Sequence, residues 1–208
     1  MTPGDPTDAA RDDLAFMRGL VQSGADMQRP FGEAYFAAGL CYGVQMLLHL
    51  GQALDFVGSD GLTGLSISLG PTVVFTGLMI WLSVRNRAPA AGTSLVARTV
   101  GAVFMAFGLS NLALIAIIGS QAVRMKSLEI WLIYPCVVLA LQGAAWLIVW
   151  TLRRRAWIAV VSAGWFATGV TMAFCIGHPI PMLLVGGFGL LAFMVVPGAY
   201  MMRDPKGS

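Results

Sequence analysis

Six apolar runs, near 31–56, 66–84, 99–121, 128–151, 156–177 and 182–202, leave this chain few ways to fold. Each approaches or exceeds the ~20 residues that an α-helix needs to cross a bilayer at about 1.5 Å per residue. Hydrocarbon offers no hydrogen bonds, so every backbone N–H and C=O in such a run must be satisfied within the chain, and a helix does that. Only 11% of the residues are charged and the mean hydropathy is +0.76, where soluble domains carry about 25% charge. The runs predict an all-α integral membrane protein with six transmembrane helices. They divide the chain into a cytoplasmic N-terminal segment (1–28), a transmembrane domain (29–203) and a cytoplasmic tail (204–208).

Charge placement orients the domain. Arg11, Arg18, Arg29, Arg85, Arg87, Arg98, Arg153, Arg154, Arg155, Arg203 and Lys206 fall on one side, and only Arg124 and Lys126 on the other. Basic residues collect on the cytoplasmic side, so both termini are expected there. The acidic N-terminus lacks the basic-then-apolar order of a secretory signal. The outer connections GSDGLTG, SQAVRMK and GHPIP are short, which favours three helical hairpins.

Those hairpins read as an internal triplication. RPFGEAYFAAGL from Arg29, RTVGAVFMAFGL from Arg98 and RRAWIAVVSAGW from Arg154 align at offsets of 69 and 125. Arginines Arg29, Arg98 and Arg154 coincide and anchor the inner boundary. Gly39, Gly108 and Gly164 also coincide; with Gly43, they are expected to let helices approach closely. Pro71, Pro135 and Pro181 are placed at the starts of the even spans, where a missing N–H matters little. Trp81 and Trp146 are read as anchors where those spans return to the interface.

The first span carries an unrepeated polar side. Tyr35, Tyr42, Gln45, His49 and Gln52 share one helix face, with Asp55 beyond them. Amides and an imidazole in hydrocarbon must hydrogen-bond, so this stripe should face the bundle. With Asn111 and Gln142 it makes either an outer polar pocket or interhelical glue. His49, Cys175 and His178 are weak candidates for copper or haem near the outer face; twelve methionines and three dispersed cysteines fit core filler better, and no cofactor is expected. No charged residue sits at mid-depth, which disfavours a coupled pump. No HExxH, GxSxG, phosphate loop or paired aspartates appear, so no enzyme is expected. The pI near 9.0 comes from arginines at helix ends, and no nucleic-acid partner is expected.

The N-terminal segment holds an amphipathic helix. Leu14, Met17 and Val21 share its apolar face, Thr7 or Asp8 can cap it, and Gly24 is expected to stop it. Few basic residues flank that face, so a protein partner suits it better than anionic lipid. The favoured function is a non-enzymatic accessory or regulatory membrane module, using that helix and its small-residue faces for a partner or a second copy. The alternative is a permease or channel for a small solute, lined by Gln45, His49 and Gln52. DDLAFMRGL followed by six spans with arginines at their inner ends resembles small, uncharacterised bacterial six-helix inner-membrane proteins, a likeness of layout that implies no activity or site.

Overall fold

The computed structural model describes the backbone of residues 6–85 and 95–203, and side chains over 29–85 and 98–203. Among these residues every regular element is helical. α1 covers Pro6–Ala53, α2 Gly61–Arg85, α3 Leu95–Met125, α4 Leu128–Arg153 and α5 Ala156–Phe174. α6 (Pro179–Leu190) passes through a π turn at Leu191–Val195 into α7 (Val196–Arg203). Five segments, α2 to α5 and the composite Pro179–Arg203, are long and apolar enough to cross a membrane. This is a multi-pass helical membrane protein.

The first expected run, 31–56, overlaps α1, which ends three residues short of it, and the N-terminal helix is not separate from α1. Gly24 does not stop the helix, and Pro30 lies inside it. Glycine accepts helical angles, and a proline near a span's boundary removes one N–H where neighbours or water can compensate. Leu14, Met17 and Val21 therefore lie on α1, outside the residues whose side chains are described.

Packing follows the small residues. The most extensive contact joins α4 to α5, and α1 packs on α2, α6 and α7, while α3 rests chiefly on α4. The resulting order is α2, α1, α6/α7, α5, α4, α3, with no extensive contact between α2 and α3. A Cβ at Gly169 would stand 2.9 Å from the Cys136 carbonyl oxygen, so α5 meets α4 backbone to backbone. Ser162 Oγ donates to the Gly143 carbonyl across the same seam at 2.8 Å. At the α1–α7 crossing a Cβ on Gly198 would lie 2.6 Å from the Phe36 amide nitrogen.

Two of the three prolines expected at span starts lie elsewhere. Pro71 and Pro135 are interior to α2 and α4, and only Pro181 falls in a first turn. Neighbouring helices can compensate a broken bond inside a membrane, so position along a span is not dictated by proline. The π turn follows from the same chemistry. Pro197 has no N–H for the carbonyl four residues back, and just before it Val196 bonds to Leu191, five residues earlier.

Left-handed residues end three helices, Asp55 (φ 60°), Lys126 (φ 50°) and Arg154 (φ 54°). Asp60, the residue before α2, accepts from Thr63 N–H at 3.2 Å. Hydrogen bonds from the Thr63 side chain, then from its backbone, hold the Asp60 carboxyl below the usual carboxylate range. A lowered folded pKa contributes stability above the unfolded value near 4, and that contribution fades as pH falls through the folded value. Amide exchange in the first turn of α2 is therefore expected to accelerate, relative to the intrinsic rate, between about pH 5 and 3. The change should vanish in Asp60→Ala.

Candidate functional site

The largest fully buried side chains among the described residues are two tryptophans. Trp146 of α4 and Trp165 of α5 are each 1% exposed, and Tyr35 of α1 is 5% exposed. Both indoles donate to one atom, the Tyr35 hydroxyl oxygen, from Trp146 Nε1 at 2.7 Å and from Trp165 Nε1 at 2.9 Å. A phenolic oxygen has two acceptor positions, so the pair fills it. Three helices are thereby tied at a single oxygen in a dry interior.

Trp146 was expected at the membrane interface, and the structure corrects this. It lies seven residues before Arg153, about 10 Å up the helix, and turns inward to Tyr35. An indole N–H needs a partner wherever it is buried, and here a side chain supplies what headgroups would otherwise supply. Around it the rings form a connected group. Tyr200 to Trp157 is 5.4 Å between centroids, Trp157 to Trp146 5.9 Å, and Trp146 to Tyr35 5.2 Å. Phe31 and Phe104 meet at 4.8 Å and join α1 to α3.

Beside this group lies a cavity of about 110 Å³, lined by Phe31, Val100, Gly101, Phe104, Trp146, Val149, Arg153, Trp157, Ile158 and Met201. Its walls are almost wholly apolar, with the Arg153 side chain the charged exception. Trp157 Nε1 is buried without a hydrogen-bond partner, the one such side-chain atom among the described residues. A second cavity, about 470 Å³, lies between α1 and α2. Glu33 is held there by Arg85, and by Arg29 at 3.3 Å.

The polar stripe is engaged locally. Gln45 Nε2 donates to the Ser68 carbonyl of α2 at 3.1 Å, one turn before Pro71. His49 Nδ1 lies 3.0 Å from Gln52 Oε1, and Gln52 Nε2 donates to the Gly58 carbonyl at 3.1 Å. Tyr42 sits against Phe75 of α2, and Asp55 is exposed where α1 ends. Asn111 accepts from the Tyr134 hydroxyl at 2.9 Å, joining α3 to α4 instead of α1. Gln142 is half-buried on α4. These residues divide between two helix pairs and line neither cavity above.

The remaining expected positions also separate. Gly39 faces Met194 and Val195, Gly43 faces Leu191, and Gly164 faces the Phe193 ring, whereas a Cβ at Gly108 would meet nothing within 4 Å. Arg29 and Arg98 are exposed, and Arg154 is the left-handed cap of α4 instead of the head of α5. Trp81 is half exposed under the Arg85 guanidinium, 4.6 Å from the ring centre. His178 is exposed before α6 and Cys175 is half-buried. Among the described residues no three His, Cys, Asp or Glu side chains gather to hold a metal.

No protein-family model matches this chain, and no characterised protein or solved structure is significantly similar to it. Sequence reasoning placed Tyr35 on the polar face of α1 but missed Trp165 and the oxygen that joins them. The available signal was depth. Counting inward from Arg29, Arg98 and Arg153 puts Tyr35, Phe104 and Trp146 six or seven residues in, about 9–10 Å.

Proposed function

We propose that this is a six-span protein of the bacterial inner membrane, with both termini cytoplasmic, acting as a non-enzymatic accessory or regulatory module. The length of α1 supports this reading. It is one helix of 48 residues, about 72 Å at 1.5 Å per residue, against the ~30 Å of a hydrocarbon core. The surplus lies on the N-terminal side of Arg29, where the sequence spacing of Leu14, Met17 and Val21 supplies an apolar stripe for a partner protein. A helix continuous with the bundle transmits a partner's pull more directly than a tethered one. The stripe from Gln45 to Gln52 suits helix packing better than a solute path, because its donors are committed to α2 and the following loop.

Leu14→Asp with Met17→Asp is expected to release a partner cross-linked at the N-terminal helix in cells, while the melting curve of the purified protein stays unchanged. An identical cross-linking pattern in the double variant would remove the docking role.

A further inference from the structure

We propose that the aromatic cavity between α1, α3, α4, α5 and α7 binds one anionic phospholipid of the inner leaflet, with a stretch of acyl chain inside and the phosphate at the arginines. The inference goes beyond the module reading and rests on it only for the orientation of the bundle. The cavity's size and lining identify the occupant. An apolar cavity of ~150 Å³ stays dry and takes benzene. The roughly 110 Å³ here suits on the order of five chain carbons. Phe31, Phe104, Trp146 and Trp157 make greasy walls, and Gly101 leaves one side open, since a Cβ there would meet nothing within 4 Å.

Charge supplies the other half. Arg153 is itself in the wall. The lining residues Phe31, Val100, Trp157 and Met201 each lie two positions from an arginine, namely Arg29, Arg98, Arg155 and Arg203. Two residues rise about 3 Å along a helix, so basic residues also stand near the cavity's level on α1, α3 and α7 and just before α5, Arg29 among them being paired with Glu33. The acid on α1 closest to this level, Glu33, is engaged with Arg29 and Arg85 toward the other cavity. Basic pockets between spans on the cytoplasmic side are where anionic headgroups settle. A soluble anion would leave the apolar walls empty, and a neutral lipid would bring no negative charge to the Arg153 in the wall.

The test is native mass spectrometry of the purified full-length chain, exchanged into detergent with phosphatidylglycerol or phosphatidylcholine. The wild type should retain one phosphatidylglycerol, about tenfold more tightly than phosphatidylcholine. Gly101→Leu adds a side chain at the cavity wall from a position where the new Cβ meets nothing within 4 Å, and replaces a helix-interior glycine by a better helix former. It should melt at or above the wild-type temperature and lose the retained lipid at least about tenfold. Arg153→Gln should lower the preference for phosphatidylglycerol about fivefold and leave phosphatidylcholine binding unchanged. Equal retention of the two lipids by the wild type, or undiminished retention by a folded Gly101→Leu, overturns the proposal. Neither readout involves a cytoplasmic partner, so failure here and failure of the docking role are told apart.

Discussion

Tyr35→Phe is expected to destabilise the bundle by about 2–4 kcal/mol, the largest effect of removing one atom anywhere in the described core. The substitution keeps the ring and deletes the oxygen to which Trp146 and Trp165 both donate. A buried donor left without an acceptor costs about 1–3 kcal/mol. Membrane hydrogen bonds average nearer 0.6 kcal/mol, because loosened helices find other partners. Here that escape is narrow, since each indole is 1% exposed. Thermal or denaturant unfolding of the purified protein in detergent measures the loss. A cycle with Trp165→Phe isolates the bond, and a coupling above about 1 kcal/mol is expected. A Tyr35→Phe loss within about 0.5 kcal/mol of zero would show that the shared oxygen is incidental to stability.

Gly198→Leu should be at least as damaging, about 3 kcal/mol or more, whereas Gly108→Leu should be neutral or mildly stabilising. Overpacking usually costs about 1–3 kcal/mol because side chains shift to absorb the extra volume. At Gly198 the obstacle is backbone: the new Cβ would lie 2.6 Å from the Phe36 nitrogen and 2.8 Å from its Cα. Those atoms cannot give way without α7 moving off α1. At Gly108 the same substitution meets open space and relieves the helix of a glycine, worth up to about 1 kcal/mol. The two variants measured together by melting temperature distinguish real helix crossings from glycines that merely occur in spans. Equal melting temperatures would mean that the α1–α7 crossing does not depend on its glycine.

That contrast also shows how much the sequence could say. That the apolar runs are helical was legible, because a bilayer turns length and hydropathy into a helix almost irrespective of detail, and five of the six overlap described helices long and apolar enough to cross a membrane. The expected runs fall within the observed helices or overlap them, and the glycines flagged at 39, 43 and 164 all face neighbouring helices. Gly108 matches Gly39 and Gly164 in sequence register yet meets nothing, because α3 rests mainly on α4 and none of its described residues is buried. Register along a helix says which residues share a face; it does not say whether another helix covers that face. The same gap explains Trp146. A tryptophan near a span's end ordinarily lies in the interface, and only the presence of Tyr35 at equal depth on another helix draws it inward. Asn111 was grouped with Gln45 by polarity alone, and the fold gives them different partners, Tyr134 and Ser68. The π turn was legible in principle from Pro197, but its consequence, Gly198 presented to Phe36, depends on the crossing itself.

The contacts of α1 also bear on how the chain is made. A ribosome delivers α1 before α6 and α7, so Gly32, Gly39 and Gly43 wait through the synthesis of α2 to α5 for the residues that cover them. Until then the glycine side of α1 is open to lipid or to other newly inserted proteins. A chain that stops short of Pro179 would keep that side exposed indefinitely, an unfinished seam of the kind that membrane quality control can recognise. The last span thus closes the bundle in time as well as in space.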